Sequence, residues 1–266
     1  MKNIKIECGW DLEFDLFHEK QLELWVDKNP TPGKQEGVVR IGILIEPPEI
    51  RGAMGLQTFL DRFDFILTHD QSIIASNEKA YLYEFGGCWV RDYNFGDKKF
   101  GVSTLIGGKK MVHGHNLRSQ VFNRSREITI PKNIWISKNF PPSDKGSGNP
   151  ILSGSKSDMF NTQFHICIEN VKRDNWFTEK LLDCLYTKTI PIYYGCPNIG
   201  EWFDTRGFIM VDNTTEVIEA CNRLDSGYYE KHLEFVEENF KRVKNYMDVS
   251  ENIKRSIEKN ILPLIG

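Results

Sequence analysis

The sequence lacks the features that mark membrane proteins and compact metal-binding domains. No apolar stretch in the 266 residues approaches the roughly 18 that a transmembrane helix needs. The N-terminus carries lysine but no apolar core of the kind that a signal peptide contains. Six cysteines occur, and no two of them stand at CxxC spacing. We therefore expect a cytoplasmic protein without a transmembrane segment, whose cysteines are reduced and mostly buried.

Two further absences argue against nucleic-acid binding and against an NAD-dependent enzyme. The formal net charge is −3, so no broad basic surface predicts a nucleic-acid partner. No G-x-G-x-x-G follows a predicted strand, which counts against an NAD-dependent enzyme on a Rossmann-like sheet. The content of 40% hydrophobic residues is ordinary for a globular protein with a real core.

The pattern along the chain predicts an α/β protein in two parts. Short apolar strands such as Val38–Ile45 alternate with helical segments. Gly86-Gly87 and a polar run then interrupt the pattern, and Phe100–Ile106 begins a new series. We place the boundary near residue 97, with a first lobe at 1–97 and a second lobe at 98–266. The chain from Tyr228 to about Asn260 is charged and helical, and we assign it to the second lobe.

The clearest unit is a strand, a helix and a second strand without a hairpin turn. Phe164–Glu169 is an apolar run suited to a buried strand, and Thr178 can cap a helix that ends near Lys188. Thr189–Tyr194 is the next strand, so the three elements predict a parallel βαβ unit.

The loop between the first strand and the helix is the predicted binding site. Ligands of open parallel sheets bind at the carboxyl ends of the strands, and a helix N-terminus favours phosphate. Glu179 can accept hydrogen bonds from a ribose diol, Lys180 can neutralise a diphosphate, and Asn170 can do either. The alternative is purely structural, because a glutamate in a first turn stabilises any helix and a lysine is often a solvated surface residue.

A family resemblance supports the functional interpretation. The run FHICIENVKRDNWFTEKLLDCLYTKTIPIYYGCPNIGEWF, from Phe164 to Phe203, closely resembles the donor-binding motif of the α-1,3/4-fucosyltransferase family. The order of E-N, an aromatic residue, T-E-K and an IPIYWG-like strand agrees. The resemblance implies a GT-B fold with two small Rossmann-like lobes, a cleft between them and C-terminal helices. The lobe at 1–97 would then be the acceptor side, and the lobe at 98–266 would bind the nucleotide-sugar. It also implies an inverting transfer that needs no metal.

The resemblance assigns roles to individual residues. Asn170 and Lys180 would face the phosphates and Glu179 the ribose, while Trp176 falls where the family usually has tyrosine, near the donor. Arg118, in HGHNLRSQVF, is the best match to an upstream arginine that holds the diphosphate. Its rivals are Arg124 and Arg126, which could instead lie on a solvated helix face.

The donor and the acceptor stay open. Val171 and Ile168 depart from the motif, and the first lobe barely resembles known fucosyltransferases. GDP-fucose follows from the resemblance, with a glycan hydroxyl as the acceptor. UDP-xylose or another UDP-sugar is the rival donor, since the TIPIYYG strand also resembles exostosin-like transferases. A catalytically inactive nucleotide- or sugar-binding module is the other alternative.

No metal and no cofactor are expected. The chain contains no DxD triplet, which GT-A transferases use to hold a divalent ion on the diphosphate. The leaving charge would then be met by lysine, arginine and backbone N–H groups. His113 and His115 stand two residues apart and could bind metal, but without further ligands a polar loop near the phosphates is the better interpretation. Many eukaryotic sugar transferases carry a membrane anchor, and the sequence shows no apolar segment of that kind, so we expect a bacterial, viral or truncated enzyme.

Inverting transfer needs a carboxylate that deprotonates the acceptor hydroxyl. Asp70, which follows a predicted strand in ILTHDQ, is the first candidate, although the alignment with the family could place Gln71 there instead. Glu46 and Glu49, in LIEPPEI, are the alternatives. Each carboxylate could equally cap a loop or helix and take no part in catalysis.

Overall fold

The computed structural model describes residues 4–7, 12, 16, 18–30, 33–51, 59–84, 86–140 and 148–266. The chain forms two compact units. Unit 1 comprises Met1–Phe85, Asp174–Trp176 and Asp248–Gly266, and unit 2 comprises Gly86–Arg173 and Phe177–Met247.

The core of unit 1 is a parallel sheet. Its five strands follow one another in the order in which the chain forms them, and every neighbouring pair is parallel. Their bounds are β1 Ile4–Glu7, β2 Gln21–Val26, β3 Val38–Leu44, β4 Phe65–Thr68 and β5 Ala80–Leu82. Strand β3 is buried along its whole length, as a central strand covered on both faces must be.

Four helices with the bounds that follow belong to unit 1. They are α1 Pro48–Arg51, α2 Gln71–Ser76, α8 Val249–Asn260 and α9 Leu262–Ile265. Helix α8 repeats isoleucine at a spacing of four residues, and Ile253, Ile257 and Ile261 are fully buried against the sheet residues of this unit. The C-terminal helices therefore complete the core of unit 1.

Unit 2 is a second parallel sheet, with strand order β10-β9-β8-β6-β7. The strands are β6 Lys99–Ile106, β7 Lys132–Ile136, β8 Thr162–Ile168, β9 Ile190–Tyr194 and β10 Ile209–Met210. The helices are α3 His113–Asn123, α4 Glu179–Tyr186, α5 Thr214–Asn222, α6 Tyr228–Lys231 and α7 Leu233–Val243. The predicted βαβ unit is confirmed as β8, α4 and β9, with Phe164 paired to Ile190.

The division between the units differs from the predicted boundary. It falls after Phe85 and not near residue 97, because Cys88, Val90 and Tyr93 pack in a core cluster that includes Phe177 of unit 2. The assignment of all C-terminal helices to the second part is also wrong. Residues 248–266 return to unit 1, where their isoleucines are buried.

The structure also bears on membrane spanning and on the state of the cysteines. In the ranges that the structure describes, no helix is both long and apolar enough to cross a bilayer. Cys88, Cys167, Cys184, Cys196 and Cys221 are all buried, as small apolar side chains commonly are, and none of these five is in a disulfide bond.

Candidate functional site

A pocket of about 380 Å³ lies in unit 2 where its parallel strands end. Gly107 and Gly108 follow β6, Ser137 follows β7, and Asn170 lies just beyond β8. The chain passes from β6 to β7 on one side and then returns to β8 on the other, so the strand order reverses between β6 and β8. Open α/β sheets bind their ligands at such a switch point.

The pocket has an excess of positive charge. Of the described residues that line it, four are cationic, namely Lys109, Arg118, Lys156 and Lys180. Two lining residues, Glu179 and Asp183, are carboxylates. A partly enclosed site with this balance suits a ligand that carries two or three negative charges, such as a diphosphate ester.

A buried carboxylate holds the start of helix α4 against the end of strand β8. Glu169 is fully buried, and its two carboxylate oxygens accept hydrogen bonds from the backbone N–H and the hydroxyl of Thr178, each at 2.8 Å. Burial raises the pKa of Glu169, and the charge of Lys180, whose Nζ lies 3.6 Å from Oε2, opposes that rise. Thr178 is the N-cap of α4, as predicted, and accepts from the backbone N–H of Lys180.

Lys180 and Glu179, which are adjacent in sequence, form an ion pair in the first turn of helix α4. The Nζ atom of Lys180 lies 3.1 Å from Oε1 of Glu179. Burial alone would lower the pKa of Lys180, but the charges of Glu179 and Glu169 prevail and raise it. Burial would likewise raise the pKa of Glu179, but Lys180 and Lys156 hold it below its ordinary value. Both groups are therefore charged at neutral pH, one as a donor and one as an acceptor.

Arg118 joins this group from helix α3. Its Nη2 atom donates to Oδ1 of Asn170 at 2.7 Å, and its Nη1 atom donates to the carbonyl of Ile168. The helix can approach the strand end because Gly114 has no side chain. A Cβ at Gly114 would lie 1.8 Å from the carbonyl oxygen of Glu169. The structure thus brings Arg118, Asn170, Glu179 and Lys180 into one pocket, and their role toward a donor stays a prediction.

The rival arginines lie elsewhere. Arg124 pairs with Glu127 on the surface and also contacts Thr215, while Arg126 is exposed. Neither is among the described residues lining the pocket.

Trp176 is placed differently from the prediction. It belongs to unit 1, is 2% exposed, and donates its indole N–H to the carbonyl of Ile45 at 3.0 Å. Its ring also lies against His69. It is missing from the described residues around the unit 2 pocket, so its burial here is that of a structural anchor of unit 1.

The three candidate bases all lie in unit 1. Leu44 and Thr68 are paired at the ends of β3 and β4, so Glu46 and Asp70, each two residues further on, share one edge of the sheet. Asp70 is the N-cap of α2 and accepts hydrogen bonds from the N–H and hydroxyl of Ser72, at 3.0 and 2.5 Å. Glu49 is exposed on α1, and Glu46 is half-buried. Asp70 therefore has the helix-capping role that was weighed against catalysis.

The two histidines do not form a metal site by themselves. The ring of His113 lies near Tyr194, whereas Nδ1 of His115 accepts from the backbone N–H of Met111 at 3.2 Å. Burial, aided by the charges of Arg118, Lys109 and Lys180, lowers the pKa of His115 to about 4. Within the part of the chain that the structure describes, no group of three or more His, Cys, Asp and Glu side chains could hold a metal ion.

Three residues of the site were missed by sequence reasoning. Asp183 lies four residues after Glu179, so helical spacing alone could have placed both on one face of α4. Glu169 is the first letter of the E-N pair in the motif. Its hydrogen bond to Thr178, nine residues later, could not be read from the sequence. Lys156 comes from the long polar segment before β8, where no pattern indicates which lysine faces the pocket.

Two parallel α/β units, with a cationic pocket at the switch point of the second, are the architecture of GT-B glycosyltransferases. A solved α1,3-fucosyltransferase with GDP-fucose superimposes with a TM-score of 0.52 over 91% of this chain and 79% of that protein, at 14% identity. This likeness shows the fold.

Sequence comparison narrows the resemblance within that class. No family model matches the chain. The chain is 33% identical over 60 residues to the α-(1,3)-fucosyltransferase FucT of Helicobacter pylori, covering 23% of this chain and 13% of the relative. It is 30% identical over 96 residues to the GDP-fucose protein O-fucosyltransferase 3 of Danio rerio, covering 35% and 21%. The chain thus matches only a small part of these relatives, and the predicted resemblance to fucosyltransferase-like enzymes of the GT-B fold is confirmed.

Proposed function

We propose that this chain is an inverting, metal-independent glycosyltransferase that moves a sugar from a nucleotide-sugar, with GDP-fucose favoured, to a hydroxyl of a glycan. The observation that carries the proposal is the convergence of Arg118, Asn170, Glu179 and Lys180 in one pocket at the ends of parallel strands. A protein surface carries many lysines, arginines and glutamates. Few surfaces bring two cations and a charged hydrogen-bond acceptor together around one pocket.

The pocket residues have complementary tasks toward a nucleoside diphosphate. Lys180 and Arg118 supply charge-assisted hydrogen bonds to phosphate oxygens, which are stronger than neutral ones. Glu179 accepts from the ribose hydroxyls. The partial positive charge at the N-terminus of α4, which begins at Glu179, adds to this attraction. Chain cations would thereby neutralise the departing diphosphate, which is the reason for proposing that transfer needs no metal.

The chemical step is a single displacement. A carboxylate, for which Asp70 is the first candidate and Glu46 and Glu49 are the alternatives, takes the proton of the acceptor hydroxyl. That oxygen forms a bond to the anomeric carbon while the bond from this carbon to the diphosphate oxygen breaks. The nucleoside diphosphate leaves with the electron pair of the broken bond, and the configuration at the anomeric carbon inverts.

The binding half of the proposal is tested by calorimetric titration with GDP-fucose and UDP-xylose. Lys180→Met keeps the aliphatic stem but removes the ammonium group, and Lys172→Met is the matched control because Lys172 is exposed and pairs with Asp212 outside the pocket. We expect Lys180→Met to weaken GDP-fucose binding by about 10- to 100-fold, the equivalent of a charge-assisted hydrogen bond.

The control should bind like the wild type. Tighter binding of UDP-xylose would change the donor but keep the reaction class. Binding of donor without any release of GDP in the presence of glycan acceptors would favour an inactive module. Absence of binding by either nucleotide-sugar would refute the proposal.

A further inference from the structure

Asp183 is a buried carboxylate, and one of its two oxygens has no hydrogen-bond donor. Its side chain is 1% exposed, and Oδ1 accepts hydrogen bonds from the backbone N–H groups of Trp89 and Val90, at 2.7 and 3.1 Å. The other oxygen, Oδ2, is buried and has no hydrogen-bond partner. The ammonium group of Lys156 lies 3.6 Å from it. Both residues line the pocket that contains Glu179 and Lys180.

A structural role explains only half of this arrangement. Holding the Trp89–Val90 backbone requires one acceptor atom, and Oδ1 fills that role. Leaving a buried carboxylate oxygen without a donor costs free energy, because the oxygen has lost its water and gained no partner. Burial accordingly raises the pKa of Asp183 to about 6, and the charge of Lys156 counters only part of this effect. A ligand N–H would remove the penalty.

The surroundings of Oδ2 suit a flat heterocycle. The described pocket wall contains the apolar or aromatic side chains of Leu105, Leu152, Met159, Phe160 and Trp89. Trp89 is 59% exposed, and the Nζ atom of Lys156 lies 4.1 Å from the centre of its ring. Asp183 lies one helical turn after Glu179 on the same face of α4. A nucleoside whose ribose contacts Glu179 therefore has its base within reach of Asp183.

We propose that Asp183 and Lys156 form the base-recognition subsite of the donor pocket and select guanine. This inference rests on the proposed function. Oδ2 of Asp183 accepts from N1–H and the 2-amino group of the base, and Nζ of Lys156 donates to O6. The pair therefore presents an acceptor beside a donor, which matches the edge of guanine.

The same pair disfavours the other bases. Adenine presents an acceptor at N1 and a donor at its 6-amino group, the reverse of the pattern that Asp183 and Lys156 offer. Uracil matches at N3–H and O4, but its second carbonyl oxygen would stand where guanine has its amino group, facing the carboxylate. An acceptor placed against the buried carboxylate, or a donor placed against the ammonium group, gives strong discrimination, because the wrong base leaves that buried group unpaired.

Nucleotide preference in wild type and Asp183→Asn tests the proposal. The asparagine carbonyl can still accept from Trp89 and Val90, while its amide NH₂ replaces Oδ2 and becomes a donor. We expect wild type to bind GDP more tightly than inosine diphosphate, which lacks the 2-amino group, and both more tightly than xanthosine diphosphate, which has a carbonyl there. Asp183→Asn should reverse the GDP and xanthosine diphosphate preference, with their affinity ratio changing on the order of 100-fold.

Lys156→Met supplies a second measurement that does not disturb the bond to the Trp89–Val90 backbone. It should lose GDP affinity by about tenfold, because O6 loses its donor, without any gain for xanthosine diphosphate. Lys172→Met again serves as the control. Equal ratios of GDP to xanthosine diphosphate affinity in wild type and Asp183→Asn would overturn the base assignment and leave the proposed function intact. If no nucleoside diphosphate binds the wild type, the base assignment and the proposed function both fail.

Discussion

At the scale of single residues, the unit 2 pocket depends on a balance between buried charges. Glu169 is fully buried and Glu179 nearly so, and Lys180 lies within 3.6 Å of the first and 3.1 Å of the second. The cation that would bind phosphate is thus also the one that stabilises two carboxylates. Replacing Lys180 affects the fold as well as the ligand, because breaking a buried pair leaves an uncompensated charge.

The pH dependence of stability reports on Asp183. Its folded-state pKa is raised from 3.8 to about 6, so between those values the folded protein holds a proton that the unfolded chain has released. Stability therefore falls as pH rises through this range. Asp183→Asn lacks this effect, and its stability relative to wild type should grow by up to about 3 kcal/mol between pH 4 and 6.5. Urea unfolding of the nucleotide-free proteins measures the difference, and a difference independent of pH would contradict the assigned environment.

Asp70→Asn separates capping from catalysis. Asparagine caps a helix as well as aspartate does, so the free energy of unfolding should change by less than about 0.5 kcal/mol. If Asp70 is the base, turnover should fall on the order of 10²–10⁴ with donor affinity unchanged. Glu49→Gln on the exposed surface and Glu46→Gln are the comparisons. Normal turnover in Asp70→Asn, with loss in either glutamine variant, would move the role to that residue.

Sequence reasoning at this scale worked where local pattern and family motif coincided. Glu179 and Lys180 stand at a helix N-terminus after a buried strand, which local rules alone can locate. Trp176 was misplaced because the short segment Asp174–Trp176 belongs to unit 1, although the chain on both sides of it belongs to unit 2. Burial against a distant segment such as Ile45 leaves no mark on the local pattern. The unmatched oxygen of Asp183 is likewise visible only in three dimensions.

At the scale of elements, the parallel strand-helix-strand unit was predicted to within two residues at most ends, since apolar runs bounded by a cap and a glycine define it. The sequence assigned the C-terminal helices to the second lobe, whereas residues 248–266 belong to unit 1. An amphipathic helix shows which face it buries, but any apolar surface can receive that face. Helix α8 directs its isoleucines into the core of unit 1, more than 160 residues away in sequence from the strands that they contact.

Ile257→Ala tests this placement. Ile257 is fully buried in the cluster that contains Leu24 and Ile41, so truncation should cost about 2–5 kcal/mol through lost burial and a residual cavity. Glu258→Ala, next to it and exposed, should change stability by about 0.5 kcal/mol or less. Hydrogen exchange should show the loss of protection in β2 and β3. Loss confined to strands of unit 2 would contradict the assignment of α8.

At the scale of the whole molecule, the pocket and the candidate bases lie in different units. Unit 2 contains the pocket with its cations, and unit 1 contains the three candidate bases. Such a division would let donor binding be measured without an acceptor. All described residues that line the pocket belong to unit 2, so the proposed donor contacts can be tested without the candidate bases.

The central claim is that chain cations, and no metal ion, hold the diphosphate of the donor. Calorimetric titration with GDP in excess EDTA, repeated with magnesium, tests it most directly. The account predicts the same dissociation constant, within about a factor of two, in both conditions, and a loss of about 10- to 100-fold for Lys180→Met in each. Binding that requires magnesium and disappears in EDTA, or binding that Lys180→Met leaves unchanged, would contradict the account.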